Sequence, residues 1–131
     1  MKYVLLAGRF LFSLIFLIPA PGHFKASTIN YVSAKGIPFA SFLVPFSGLL
    51  MIAGGISILL GYKTRIGAWI LILFLLPVTF ALHDFWNTPD GMARQLDFAM
   101  FMKNIALTGS ALMIAYFGAG SLSMDNRLAK A

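Results

Sequence analysis

The segment Ile66–Leu82, IGAWILILFLLPVTFAL, contains no ionisable side chain. With a few flanking residues it reaches about 20 residues, the length that an α-helix needs to cross about 30 Å of hydrocarbon. An apolar run of this length is typical of a helix whose surroundings are lipid. The segment therefore predicts a transmembrane helix over residues 66–86.

Three more stretches of this kind occupy most of the remaining chain, at 3–22, 37–60 and 96–117. Of the 131 residues, 60% are hydrophobic and 11% are charged, far fewer charges than a soluble domain carries. The connections are short and contain no Ser/Pro-rich or charged linker, so we expect one domain over residues 1–131. The predicted fold class is all-α: an integral membrane bundle of four transmembrane helices with short loops.

The charge and cysteine content exclude several classes of function. The formal charge is +6, but the basic residues lie near the helix ends, which indicates contact with anionic lipid and not with nucleic acid. The chain has no cysteine, so it forms no disulfide, thiolate metal site or Cys-x-x-Cys redox pair. The two histidines and the scattered aspartates lack metal-ligand spacing. We predict no metal site and no catalytic residue.

The orientation follows from the even number of spans and the positions of the basic residues. Four spans place both termini on one side of the membrane, where basic residues slightly outnumber those on the other side. The positive-inside rule then predicts cytoplasmic termini. A cleaved signal peptide is the alternative for the first span, but Arg9 interrupts its apolar core and Ile18 fits a cleavage site poorly.

Two local features refine this picture. Between the first two spans, Ser27 is predicted to cap a short interfacial helix that ends near Lys35 and is followed by a turn at Gly36. In the second span, Gly48 and the Gly54–Gly55 pair are small enough to let helices approach closely. We expect this packing within one chain, and a homodimer contact is the alternative.

The ionisable residues inside the spans are the first candidates for function, because such groups are costly in lipid. Arg9 is close enough to one end of the first span to reach lipid headgroups or a structural partner. Lys103 lies deeper in the last span, next to Asn104, and we expect both to face the bundle interior. The structural alternative pairs Lys103 with Asp84 or Asp97.

Histidine and tryptophan supply the other candidates. His83 and Trp86 share a face near the end of the third span, and His23 lies at the same predicted level of the first span. Together with Lys103 and Asn104, they form a candidate ligand pocket. Such a pocket suits a quinone, whose carbonyls accept hydrogen bonds and whose ring stacks on aromatic side chains. It also suits a lipid headgroup. The alternative without a ligand is that Trp86 is an interfacial anchor and the histidines are solvated.

Several short motifs resemble those of the DoxX family of small bacterial and archaeal membrane proteins. These are Gly8–Phe12, Gly22–Phe24, Gly36–Pro38, Gly54–Ala68, His83–Trp86 and Phe101–Gly109. The resemblance implies a multi-pass protein of the cytoplasmic (inner) membrane. Related archaeal Dox proteins form a thiosulfate:quinone oxidoreductase, and some actinobacterial relatives assemble with a sulfurtransferase and a superoxide dismutase. Such a role here implies partner subunits, because this chain has no thiol to receive sulfur.

The sequence thus leaves three hypotheses for function. The first is a redox-associated membrane subunit, at most part of an oxidoreductase complex, with quinone as its possible ligand. The second is a non-catalytic scaffold or anchor for partner proteins, and the third is a small transporter or lipid-handling protein. In each hypothesis, Arg9, Asp84 and Asp97 have structural or lipid-binding roles. The sequence leaves open whether the chain assembles into a homo-oligomer.

Overall fold

The architecture follows the apolar pattern of the sequence. The computed structural model describes residues 1–131. The chain forms six α-helices: α1 (Lys2–Leu17), α2 (Ala26–Ala34), α3 (Ala40–Leu60), α4 (Thr64–Leu82), α5 (Met92–Phe117) and α6 (Met124–Leu128). Short 3-10 turns, Ala20–Phe24 and Phe85–Asn87, extend α1 and α4. Four of these units are long and apolar enough to cross a membrane, so the predicted all-α bundle of four spans is confirmed.

The four long helices pack in chain order, α1 on α3, α3 on α4 and α4 on α5. Their shared core consists of Phe16, Ala20, Met51, Ile58, Ala68, Leu71 and Leu75. We call the end that carries Met1, the turn at 61–63 and residues 118–131 the termini end. The opposite end, with α2 and the 3-10 turn Phe85–Asn87, is the loop end. At the loop end α2 lies against α3.

The small residues of α3 bring it close to its neighbours in the same chain. A Cβ added to Gly54 would lie 2.5 Å from Leu71 Cγ of α4, and one added to Gly55 would lie 2.7 Å from Leu17 Cδ2 of α1. Both distances are far below van der Waals contact, so only glycine fits at these crossings. The predicted packing of α3 within one chain is confirmed.

Three local predictions need correction. The short helix α2 begins at Ala26, with Lys25 at the N-cap position and no side-chain cap, so Ser27 lies inside the helix and is not its cap. The last span begins earlier than predicted, at Met92, directly after a turn at Gly91. The polar tail after the last span contains a further helix, α6, because the Ser123 hydroxyl accepts a hydrogen bond from the Asn126 amide and caps it.

Candidate functional site

A cavity of about 400 Å³ opens at the loop end, between the 3-10 turn that follows α1 and helices α2, α3 and α4. We call it the loop-end cavity. Most of its wall is aliphatic or aromatic, including Val32, Leu43, Val44, Leu73, Phe74 and Val78. Polar groups reach it from His23, Ser47 and Thr28. Apolar walls with a few polar groups are typical of sites for small lipophilic molecules.

The hydrogen bonds of His23 determine which of its ring nitrogens carries the proton in the neutral ring. The Ser47 hydroxyl donates to the Val44 carbonyl at 2.6 Å, and His23 Nδ1 lies 2.8 Å from Ser47 Oγ. Since the hydroxyl proton is already used, Nδ1 is the donor of this second bond. Nε2 has no protein partner and, in the neutral ring, is a hydrogen-bond acceptor. The His23 ring packs edge-on against Phe74, with centroids 6.1 Å apart.

Local structure holds His23 in this place. A Cβ added to Gly48 of α3 would lie 2.8 Å from His23 Cβ and 3.1 Å from the Phe24 ring, so glycine lets the turn seat directly on α3. The Thr28 hydroxyl donates to the Gly22 carbonyl at 2.8 Å and ties the start of α2 to the same turn. The histidine is therefore positioned by two neighbouring helices.

His83 lies outside the loop-end cavity, at the contact between α4 and α5. Its Nδ1 is 3.7 Å from Asp97 Oδ1, which is too long for a hydrogen bond, and this nitrogen is buried without a partner. The other Asp97 oxygen accepts a hydrogen bond from the Thr88 hydroxyl at 2.8 Å. Asp97 thus orders the turn before α5, which is consistent with a structural role.

Asp84 and Lys35 join the end of α4 to the end of α2. Lys35 Nζ donates to the Leu82 carbonyl at 3.0 Å and lies 3.7 Å from Asp84 Oδ1. The Asn87 side-chain amide donates to Asp84 Oδ2 at 3.1 Å. Both side chains of the ion pair are more than a quarter exposed, so the pair is a surface contact.

Trp86 belongs to an aromatic cluster beside this contact and does not line the loop-end cavity. The cluster consists of Phe85, Trp86, Phe98 and Phe101, whose rings meet edge to face at centroid distances of 5.0 to 5.9 Å. The indole is 46% exposed. This geometry fits the alternative in which Trp86 is an interfacial anchor and binds no ligand.

The expectation that Lys103 and Asn104 both face the bundle interior is wrong for Lys103. Asn104 is 4% exposed, whereas Lys103 lies on the outer face of α5, where its one hydrogen bond runs from Nζ to Met100 Sδ at 3.4 Å. Consecutive helix positions are about 100° apart, and here that rotation takes Lys103 from the buried face of α5 to its outer face. Lys103 pairs with neither Asp84 nor Asp97. Neither Lys103 nor Asn104 lines the loop-end cavity.

Arg9 has a structural partner at the termini end. It is 5% exposed, and its Nη1 and Nη2 donate to the Ala119 and Leu122 carbonyls at 2.9 and 2.6 Å. A Cβ added to Gly61 would collide with the Arg9 guanidinium, so the turn after α3 requires glycine here as well as for its φ of +68°. Arg9 thus holds the segment after α5 against the bundle.

Asp125 completes this arrangement, which we call the tail lock, and sequence reasoning missed it. Its two oxygens accept hydrogen bonds from the Lys63 and Thr64 amides at 2.6 and 3.0 Å, so it caps the start of α4. Burial raises the pKa of Asp125, but these hydrogen bonds and the Arg9 charge outweigh it, and the pKa lies below its usual value. An acidic residue in a short polar tail was the only available signal.

Comparisons with known proteins now identify the family. The DoxX family model matches residues 4–84. The chain is 33% identical to inner membrane protein YqjF of Escherichia coli over 95% of the chain and 92% of that protein, and 29% identical to inner membrane protein YphA of the same organism over 95% and 89%. It is 28% identical to the yeast ER-derived vesicles protein ERV29, of which it covers 34%. No solved structure gives a significant match. The chain belongs to the DoxX family.

Proposed function

We propose that this protein is a redox-associated subunit of the inner membrane that binds a quinone-class molecule in the loop-end cavity. The observation that carries the proposal is the juxtaposition of apolar walls and the free Nε2 of His23. The two E. coli relatives named as inner membrane proteins support the location. Cytoplasmic termini are part of the same proposal.

The cavity suits this ligand in size and chemistry. Its volume of about 400 Å³ lies within the usual range for small-molecule sites. The neutral ring of His23 accepts a hydrogen bond at Nε2, which matches the hydroxyl of a quinol. A protonated ring donates at Nε2, which matches the carbonyl of a quinone. The isoprenoid or alkyl chain of such a ligand would leave the cavity into the surrounding lipid.

His23 moves protons in this proposal and a partner subunit moves electrons. Oxidation of a bound quinol would pass two electrons to a redox centre of that partner subunit and release two protons, of which Nε2 accepts one and water accepts the other. The chain has no cysteine, so no thiol of its own takes up the electrons or sulfur from thiosulfate. The proposed activity therefore belongs to a complex in which this chain provides the ligand site.

The proposal is tested by thermal denaturation of the detergent-purified protein with short-chain ubiquinone and menaquinone, each oxidised and reduced. We expect at least one quinol to raise the melting temperature of wild type and of His83→Phe, and to leave His23→Phe unchanged. His83→Phe is the matched control because it makes the same change outside the cavity. Equal response of both variants, or no shift with any of the four ligands, would contradict the proposal and favour a scaffold.

The orientation is tested separately, because the chain has no cysteine of its own. Ser27→Cys and Lys130→Cys place single thiols on exposed residues at opposite ends. An impermeant thiol reagent added to spheroplasts should label only the Ser27→Cys protein. Labelling of only the Lys130→Cys protein would place the termini on the outer side.

A further inference from the structure

A second cavity lies at the termini end, where the start of α4 meets the tail lock. Its volume is about 560 Å³. One wall is formed by Lys63, Thr64, Arg65 and Ile66, and the other by the segment from Gly118 to Asn126. Unlike the loop-end cavity, it is lined mainly by polar residues. It lies where two membrane-spanning helices end, so we expect it at the level of the lipid headgroups.

The cavity has an excess of positive charge. Neither Lys63 nor Arg65 is within ion-pair distance of a carboxylate. The only acid in the wall, Asp125, already uses both oxygens on the Lys63 and Thr64 amides. The Lys63 ammonium lies over the ring of neighbouring Tyr62, at 5.6 Å from its centroid. Two cationic residues therefore line the cavity, and neither forms an ion pair.

Uncharged hydrogen-bond donors at this cavity, like its positive charge, favour an anionic ligand. Thr64 is fully buried and lines the cavity, and no group meets hydrogen-bond geometry with its Oγ1, although the hydroxyl is close enough to the Asp125 carboxylate to help lower the pKa of that acid. Buried hydroxyls normally have a partner. The Arg65 and Ile66 amides, in the first turn of α4, also make no backbone hydrogen bond. A ligand with several oxygen acceptors would satisfy the hydroxyl and these amides together.

We propose that the termini-end cavity binds a phosphate group, either on the headgroup of an anionic phospholipid or on a free phosphate. Arg65 donates to phosphate oxygens through its planar guanidinium, and Lys63 adds a second charge. The start of α4 favours an anion through its amides and its dipole. Asp125 stays in place as the helix cap, because its amide partners differ from those left for the ligand.

The tail lock positions one wall of this site. The Arg9 guanidinium holds the Ala119 and Leu122 carbonyls, and thereby fixes the wall that faces Lys63 and Arg65. Arg65 lies against this wall, since its Nε would be 3.7 Å from a Cβ added to Gly118. Phosphate binding therefore stabilises the docked tail.

The test measures binding to the full-length protein in detergent by native mass spectrometry. The probes are dioleoylphosphatidylglycerol, inorganic phosphate and dioleoylphosphatidylcholine. The variant is Lys63→Asn/Arg65→Gln, in which asparagine tolerates the positive φ of position 63. Its control, Lys2→Gln/Lys130→Gln, removes the same charge from exposed residues at the same end. Thr64→Val removes the buried hydroxyl without changing the charge, and it provides the test if the double variant does not fold.

We expect wild type and the control to bind phosphatidylglycerol, with the Kd raised about tenfold or more in the Lys63→Asn/Arg65→Gln variant and severalfold in Thr64→Val. Phosphatidylglycerol binding without phosphate binding would identify a lipid as the source, and comparable binding of inorganic phosphate would identify a free ligand. Equal affinity of the control and the double variant would overturn the proposal, as would unchanged affinity in Thr64→Val or no binding of either anion.

Discussion

The two ends of this bundle differ in how deeply their charged side chains are buried. At the termini end, a buried arginine donates at 2.6 and 2.9 Å to backbone carbonyls, and a carboxylate caps a helix. At the loop end, the Lys35–Asp84 and His83–Asp97 pairs are 3.7 Å apart and partly exposed. Short hydrogen bonds from a buried charge fix a structure, whereas longer ion pairs at the surface leave it adjustable. We therefore expect the termini end to determine stability and the loop end to admit a lipophilic ligand.

Removal of Arg9 tests this difference at its strongest. Arg9→Met would leave two carbonyls without their charged donor and would release the tail, at a cost of about 3 kcal/mol in the free energy of unfolding. Reversible unfolding in mixed micelles of increasing SDS content measures this loss. Arg9→Lys is the control, because it keeps the charge but lacks the fork that reaches both carbonyls. Stability equal to wild type in Arg9→Met would show that the tail lock does not hold the bundle.

Gly48→Ala tests how closely the loop end is packed around His23. The added methyl group would meet His23 Cβ at 2.8 Å and the Phe24 ring at 3.1 Å, so the turn must move away from α3. We expect a loss of about 1–3 kcal/mol and weaker quinol binding. Gly8→Ala is the control, since a Cβ there meets nothing within 4 Å. Full quinol affinity in Gly48→Ala would show that the position of His23 does not matter.

Asp125→Asn keeps a side-chain oxygen that can cap α4 but removes its negative charge. We expect the free energy of unfolding to fall by about 1 kcal/mol near neutral pH. Since the pKa of Asp125 is lowered in the folded protein, its contribution is complete above the usual carboxyl pKa of about 4 and is lost as the pH falls toward the folded value. Melting temperatures of wild type and variant should therefore converge as the pH falls below about 4. A difference that grows on acidification would contradict this account.

Lys35→Met removes a cation from the loop end, as Arg9→Met does from the termini end. Its Nζ bonds the Leu82 carbonyl and faces Asp84, but the pair is partly exposed, so we expect a loss below about 1 kcal/mol. The SDS titration used for Arg9→Met gives a direct comparison. A loss as large as that of Arg9→Met would remove the distinction between the two ends.

Lys103→Met has the smallest expected effect. The side chain lies on the outer face of α5, so in micelles it has similar surroundings before and after unfolding, and its replacement by an unbranched apolar chain should leave the free energy of unfolding within about 0.5 kcal/mol. Expression level and melting temperature check this. A large loss of stability would indicate that Lys103 faces the bundle interior, as the sequence predicted.

The sequence predicted those features that local pattern determines. The four spans follow from apolar runs of sufficient length, and the turn at Gly36 follows from its freedom to adopt a positive φ. The tail lock could not be predicted, since Arg9 and its acceptors are more than a hundred residues apart in the chain. The side of α5 on which Lys103 lies was equally hidden, because its apolar residues surround the helix and mark no single buried face.

The structure separates the residues of the predicted ligand pocket. His23 reaches a cavity at the expected end, whereas His83 and Trp86 lie at a neighbouring helix contact. The sequence placed them together because all three lie near span ends. It gave no sign that α2 would fold over α3 and place the cavity on the α3 side of α4.

The central claim is that the loop-end cavity holds a quinone-class molecule, and the most direct test is mass spectrometry of small molecules that copurify with the gently extracted protein. Val78→Trp fills the cavity, and the control Val4→Trp adds the same side chain on an exposed face of α1. The account predicts a quinone in wild type and in the control, and its loss from folded Val78→Trp. Only bulk phospholipid in all three proteins would contradict it.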